Sequence, residues 1–233
     1  MTINQFNQTF MQEMKEKLDV ELLGATSVDV SEVLKMRTRD LLPSAKSAVV
    51  FGKEIYKEIV SLLKPSKQEG EIESGGLLGP HCEYVNGRLN RAVHDLAALF
   101  KKLGYRSLPL PAIGPSDRRF LTSLLSFKHV AELAGLGTIG RHSLLITQAY
   151  GPRVRLACLL TEATLDTTSR LQENYCLNCD ACIRLCPANA LCLPKPGEVY
   201  AINRFACQSY RQAGLTCGVC MKVCDETIEK ARD

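Results

Sequence analysis

No apolar run in this chain approaches the ~18 residues that a membrane-spanning helix requires. The opening segment, MTINQFNQTFMQEMKEKL, lacks the apolar stretch of a secretory signal. No block of like charge occurs, and 29 Lys+Arg against 25 Asp+Glu leave a mild net charge of +4. A dedicated nucleic-acid or membrane surface is therefore not expected. There is no long internal repeat. These absences together lead to the expectation of a soluble, cytoplasmic protein with no membrane partner. What remains is a chain of 233 residues with 45% hydrophobic content, enough for one large domain or one domain plus a small module.

Cysteine is where the sequence is rich. There are eleven, and nine of them fall from Cys176 to Cys224. An odd count and tight C-x-x-C spacing, in a chain longer than secreted disulfide scaffolds, argue for metal rather than disulfides. The run Cys176-x-x-Cys179-x-x-Cys182-x-x-x-Cys186-Pro187 has the spacing of bacterial-type ferredoxins. An iron–sulfur cube offers four irons, each needing one outer thiolate. Three cysteines at two-residue intervals let a tight loop wrap three corners, and the fourth serves a different cube.

Cys217-x-x-Cys220-x-x-x-Cys224 matches the last three members of the same run, with Gly214 where the first would stand. Cys207 is the natural substitute and Cys192 a weaker one. The expected partition is Cys176, Cys179, Cys182 and Cys224 for one [4Fe–4S] cluster, and Cys186, Cys207, Cys217 and Cys220 for a second. Zinc favours separated C-x-x-C pairs and fits this syntax poorly. Cys82 and Cys158 read as ordinary buried thiols, and His81-Cys82 has no partners at ligand spacing. From Cys176 onward seven Lys/Arg stand against six Asp/Glu. That balance favours a wire within one molecule over a free acidic carrier.

Along the rest of the chain, Asn4–Leu18 puts Phe6, Phe10, Met14 and Leu18 on one helical face. Ala45–Phe51 reads as a buried strand, Gly70–Gly79 as a turn-prone connection, and Glu83–Leu103 as an amphipathic helix capped by Gly104. Tyr105–Leu110 reads as a short strand and Ser116–Ala134 as another helix. Ser143–Thr147 and Arg153–Thr161 look extended, joined by a Tyr150-Gly151-Pro152 turn. Texture changes between 167 and 172, which sets the expected division at 1–168 and 169–233.

Gly135-Leu136-Gly137-Thr138-Ile139-Gly140 fits the G-x-G-x-x-G pattern of dinucleotide sites. A Rossmann site needs a strand before the glycines and a helix after them. Here helix formers precede and extended residues follow, so that reading is set aside. The remaining alternatives are a loop whose backbone approaches a ligand closely and a plain tight connection. His129 and His142 flank the loop as candidates for proton transfer, and Arg141 as a holder of a phosphate or amide on a cofactor tail.

AELAGLGTIGRHSLLITQAYGPRVRLACLLTEATL, followed by the ferredoxin run and RFACQSY, resembles the epoxyqueuosine reductase family, which is related to the reductive dehalogenases. The resemblance is best over Lys128–Cys224 and fainter through Arg39–Gly52. It implies a cobalamin held between a nitroreductase-like α/β domain and a two-cluster ferredoxin module, with electrons passing from the nearer cluster to cobalt. The loop residues Gly135, Leu136, Gly137, Ile139, Gly140, Arg141 and His142 would then edge the corrinoid. Thr138 stands where the family has tryptophan, and Arg141 where it has lysine. The catalytic aspartate of the family would align near Leu121; Asp117 and Glu132 are the nearest carboxylates. The tRNA-contacting C-terminal extension of full-length members has no counterpart, so tRNA is not an expected partner.

The resulting expectation is an α+β protein: a nitroreductase-like α/β sandwich over 1–168, then a ferredoxin-like module over 169–233. It would take single electrons from an external low-potential donor through two clusters to a cobalamin, reducing a corrinoid or small-molecule substrate. Two alternatives stand beside it: a non-enzymatic electron carrier for a corrinoid protein, and an iron–sulfur reductase with FMN in place of cobalamin.

Overall fold

The computed structural model describes residues 6–64, 74–114, 116–117, 119–168, 170–213 and 217–232. In chain order the elements are α1 (Gln8–Lys17), β1 (Leu22–Ser27), α2 (Glu32–Arg39), β2 (Ser47–Glu54), α3 (Lys57–Ser61), α4 (Leu78–Lys102) and β3 (Ser107–Leu110). Then come β4 (Ser116–Asp117), β5 (Thr122–Ser123), α5 (Phe127–Leu133), β6 (Thr138–Ile139), β7 (Leu145–Ile146) and β8 (Val154–Thr161). The cysteine-rich part holds α6 (Ala181–Arg184), β9 (Leu191–Cys192), β10 (Ala201–Ile202), α7 (Arg204–Ala213) and α8 (Val219–Lys230). Helix and sheet are mixed, as expected. No helix among the described residues is long and apolar enough to cross a membrane.

Two compact units are each assembled from three segments. The first comprises Met1–Lys53, Val85–Leu136 and Arg155–Gln172; the second comprises Glu54–Tyr84, Gly137–Val154 and Glu173–Asp233.

The first unit is built on a sheet of order β1-β2-β8-β3. Residues Ala157–Thr161 of β8 and Ser47–Lys53 of β2 are buried without alternation, the pattern of strands covered on both faces. α4 presents Val85, Leu89, Ala92, Val93, Leu96 and Phe100 to the core, a stripe at helical spacing. Phe6 meets Phe10, Phe100 and Tyr105 edge-on, with centroids 5.1, 5.2 and 5.6 Å apart. Of the expected first-helix face, Phe6 and Met14 are buried, and Met11 joins them.

α4 ends where Gly104 takes φ +87. The Tyr105 N–H donates to Phe100 O at 2.9 Å and the Gly104 N–H to Lys101 O at 3.1 Å, a Schellman closure. That closure delays the next strand to Ser107. The expected helix over Ser116–Ala134 is cut to Phe127–Leu133. The reason is local: the Asp117 carboxylate accepts the Arg119 N–H at 2.9 Å, and Leu121 adopts φ +50, so β4 and β5 form a hairpin instead. Of the Gly70–Gly79 connection, residues 70–73 lie outside the described residues, Ser74–Leu77 form a 3-10 turn, and α4 begins at Leu78.

The second unit has a smaller core of Ile55, Val60, Leu63 and Leu78, with Met221 of α8 packed on it. Lys222 closes the end of α3 by donating from Nζ to Ser61 O at 2.7 Å and Leu63 O at 3.0 Å. Lys57 pairs with Glu229 at 2.5 Å. These contacts fix α8 before any cysteine is considered.

Two glycines separate packing from propensity. A Cβ on Gly137 would lie 2.3 Å from Ile146 O, whereas one on Gly87, mid-α4, meets nothing within 4 Å. Gly137→Ala should lower the unfolding free energy by about 1–3 kcal/mol, and Gly87→Ala should raise it by about 0.5–1 kcal/mol. Urea denaturation of both variants checks the opposite signs.

Candidate metal centre

The first cysteine loop curls because two of its polar residues accept left-handed backbone. Asn178 has φ +53 and Asp180 φ +56, positions that Asn and Asp tolerate better than other side chains. The Asn174 carboxamide oxygen accepts the Cys176 N–H at 3.0 Å, and Arg184 donates to Cys179 O at 2.9 Å. Cys182 rides on α6, which packs against α8. Cys220 and Cys224 stand one turn apart on α8. That helix starts at Gly218, where a Cβ would lie 2.5 Å from Leu63 Cδ1. Cys207 sits in the first turn of α7, where Asn203 accepts the Ala206 N–H through its side chain at 3.1 Å. The Ala190 N–H donates to Cys186 Sγ at 3.3 Å.

The thiols segregate. Cys176, Cys179, Cys182 and Cys224 line one pocket of about 330 Å³, part of it open to solvent, together with Arg141 and His142. Burial pushes the Cys182 thiol up to about 11, with Cys176 and Cys179 adding to the effect. Cys224 is pushed up by burial and then by Cys176, Cys182, Cys179 and, from the other set, Cys220. The other set adjoins this one. Cys220 is pushed up to about 12 by burial, then by Cys217 and Cys207. Cys207 is raised by burial against the pull of Arg211, with Cys217 and Cys186 adding. Cys182 and Cys186 also act on Cys220, so the two sets are neighbours.

Cys192 is exposed at the end of β9, outside both sets. The position of Gly214 lies outside the described residues. Cys158 is fully buried, its thiol driven far up by burial alone against one backbone N–H. Cys82 packs on the small core of the second unit, and His81 accepts the Tyr56 N–H at 3.2 Å through Nε2. Among the described residues no group of three or more His, Cys, Asp or Glu converges to hold a single metal ion.

Around the first set, His142 is 3% exposed. Its Nδ1 accepts the Leu144 N–H at 3.0 Å, which places the neutral ring's proton on Nε2. Arg141 pairs with Asp180, and that hydrogen bond raises the guanidinium above its ordinary value. Behind the set lies Arg153. Its Nε donates to Asp225 at 2.7 Å, and its Nη1 to Glu54 at 2.5 Å and to Ile55 O at 3.0 Å. Arg153 and Asp225 are only 8% and 10% exposed. Burial opposes the Arg153 charge, and the two carboxylates outweigh it. Gly151 takes φ +53 beneath this pair, where a Cβ would lie 2.8 Å from Asp225 Oδ1. The 150–152 turn therefore does more than reverse the chain: it leaves room for the residue next to Cys224.

The glycine loop has structural reasons for each glycine. Gly135, at φ +69, closes α5: the Leu136 N–H reaches Ala131 O at 2.9 Å and the Gly135 N–H reaches Glu132 O at 3.1 Å. Leu136 packs on Gly24, whose Cβ would lie 2.9 Å from Leu136 Cδ2. Gly137 is pressed on Ile146 O, and a Cβ on Gly140 would lie 2.7 Å from Ile146 Cδ1 and 2.8 Å from the His142 ring. The element order is helix, glycines, strand β6, the reverse of a Rossmann turn. Ile139 and His142 are buried in the same hairpin.

Comparison with known proteins gives the lineage. No family model matches the chain. It is 30% identical over 163 residues to epoxyqueuosine reductase of Synechocystis, covering 69% of this chain and 50% of that protein. It is 32% identical over 157 residues to tetrachloroethene reductive dehalogenase of Dehalobacter restrictus, covering 66% of this chain and 25% of that protein. Its fold matches a crystal structure of epoxyqueuosine reductase with an epoxyqueuosine-modified tRNA stem loop at TM-score 0.61 and 21% identity, over 97% of this chain and 66% of that one. It also matches a reductive dehalogenase described for B12-dependent dehalogenation at TM-score 0.72 and 17% identity, over 96% and 32%. The chain is a member of the family that links epoxyqueuosine reductases to reductive dehalogenases. It spans half the length of the Synechocystis relative and a quarter of the Dehalobacter one.

Thr138, Leu121, Asp117, Glu132 and His129 each have a local role in the fold. Thr138 accepts the Tyr175 N–H at 3.0 Å through Oγ1, bracing the residue before the first cysteine. Leu121 occupies the turn of the β4–β5 hairpin. Asp117 is engaged by Arg119 at 2.8 Å, which lowers its carboxyl below the ordinary range, and Glu132 by Arg170 at 3.2 Å. His129 is paired with Ser126 Oγ at 2.6 Å, and burial lowers its imidazole.

Arg153 was not singled out from the sequence, and its burial between two carboxylates is what identifies it. Arg153→Ala removes the buried guanidinium that Glu54 and Asp225 both contact. Its unfolding free energy should fall by about 3–5 kcal/mol. A fall below about 1 kcal/mol by urea denaturation would place the pair among inconsequential surface bridges.

Proposed function

We propose that this chain is an iron–sulfur oxidoreductase that carries two [4Fe–4S] clusters and delivers single electrons to a corrinoid. Cys176, Cys179, Cys182 and Cys224 hold one cluster; Cys186, Cys207, Cys217 and Cys220 hold the other. The observation that carries this reading is that one quartet lines a single pocket while Cys217, Cys207 and Cys186 all act on Cys220, in keeping with the partition expected from the cysteine spacing. Soft thiolate donors are the chemistry such clusters demand. When bound, two neighbouring clusters relay one electron at a time.

The chain's own contributions are positional. Asn178 and Asp180 curl the first loop, Arg153 holds the α8 residue beside Cys224, and His142 and Arg141 wall the first quartet. In this reading 169–233 is a ferredoxin-like module and 1–168 a nitroreductase-like domain that meets the electron acceptor. The corrinoid is supported by the relatives. The loop Gly135–His142 does not itself display a cradle for it, because Gly137, Ile139, Gly140 and His142 are taken up by packing within their own hairpin.

A second reading, a non-enzymatic electron carrier for a corrinoid protein, has its own support. The resemblance aligns the family's acid near Leu121, and the nearest carboxylates, Asp117 and Glu132, are engaged by arginines.

Anaerobic reconstitution should give about eight irons per chain, falling to about half in Cys207→Ser and in Cys224→Ser. Cob(II)alamin should then change its spectrum on addition and stay with the protein on gel filtration. Retention of FMN instead would select the flavin alternative, and retention of neither would remove the proposed acceptor. Reduction of an added corrinoid protein without small-molecule turnover favours the carrier. Turnover of an epoxyqueuosine stem loop, the ligand in the structural neighbour, would make tRNA the substrate.

A further inference from the structure

The charge that the sequence offers to a cofactor tail is directed elsewhere. Arg141 leaves the β6–β7 hairpin and pairs with Asp180, which stands between Cys179 and Cys182 in the cysteine loop. Both side chains are partly buried, at 25% and 27% exposed. Both line the pocket that the first quartet surrounds. After Asp180, the charges that act on the guanidinium are the thiol groups of Cys176 and Cys182. Asp180 is held at φ +56, so its carboxylate is presented by a bent backbone rather than a free chain.

We infer that Arg141 and Asp180 form a charge pair that sets the reduction potential of the cluster held by Cys176, Cys179, Cys182 and Cys224. This rests on the cluster assignment above. Accepting one electron from a low-potential donor makes the site more negative by one unit. A fixed guanidinium beside it stabilises the reduced form and raises the potential, whereas the carboxylate opposes it. Arginine keeps its proton throughout, so the electron enters without proton transfer at this pair. The two members act with opposite sign, and that distinguishes an electrostatic role from a merely structural one.

The experiment is an EPR-monitored redox titration of the anaerobically reconstituted full chain, with dithionite as reductant. Arg141→Gln should move one of the two cluster midpoints to more negative potential, and Asp180→Asn should move the same midpoint to more positive potential. Arg141→Lys should lie nearer the wild type than Arg141→Gln does. The other cluster serves as an internal reference. Unchanged midpoints, or shifts of the same sign in both variants, overturn the inference. If Arg141→Gln fails to assemble the first cluster, Asp180→Asn decides, because asparagine suits the left-handed backbone there; a midpoint that does not rise overturns the inference. A wild-type chain that takes up no iron would instead defeat the cluster assignment itself.

Discussion

A thiolate withdrawn from water is costly, and a second one beside it costs more, because desolvation and like-charge repulsion both disfavour the charged form. Cys182, Cys220 and Cys224 carry both penalties at once. A fold that gathers sulfur in this way must hold it there by other means, and it gains from the arrangement only when a cationic group accepts the thiolates. The second unit is organised around that constraint.

The holding is done by contacts remote from sulfur. α8 brings Cys220 and Cys224, and it is fastened by Lys222 on the end of α3, by Lys57–Glu229, and by Arg153 on Asp225. Met221 seats the same helix on the small apolar core. The loop bearing Cys176, Cys179 and Cys182 is fastened by Thr138 at its start and by Asp180 with Arg141 near its middle. Thr138 and Arg141 belong to the glycine hairpin and Asp180 to the cysteine loop, so these contacts link the two motifs within one unit.

Much of this was legible in the sequence, for reasons that are local. Cysteine spacing reports which thiols a loop or a single helical turn can present together. The α4 stripe and its Gly104 closure follow from helical period and glycine's freedom at positive φ. Ser116–Ala134 misled because helix formers dominate its composition, while Asp117 and Leu121 decide its first half through a turn. The glycine motif is no dinucleotide site, as its flanking residues indicated: Gly135 ends a helix, Gly137 clears a carbonyl and Gly140 clears an imidazole, three unrelated demands that spell one familiar pattern. Arg153 with Asp225 and Arg141 with Asp180 are separated by 72 and 39 residues, so no local signal could pair them. The same holds for the assembly of each compact unit from three separated segments.

Differential alkylation tests the proposed iron–sulfur ligation most directly. Anaerobically reconstituted protein is treated with iodoacetamide, and the labelled cysteines are located by mass spectrometry before and after chelation of iron. Cys176, Cys179, Cys182, Cys186, Cys207, Cys217, Cys220 and Cys224 should be protected until the metal is removed, while exposed Cys192 is labelled from the outset. Labelling of either quartet in the iron-loaded protein, or protection that survives chelation, would contradict the account.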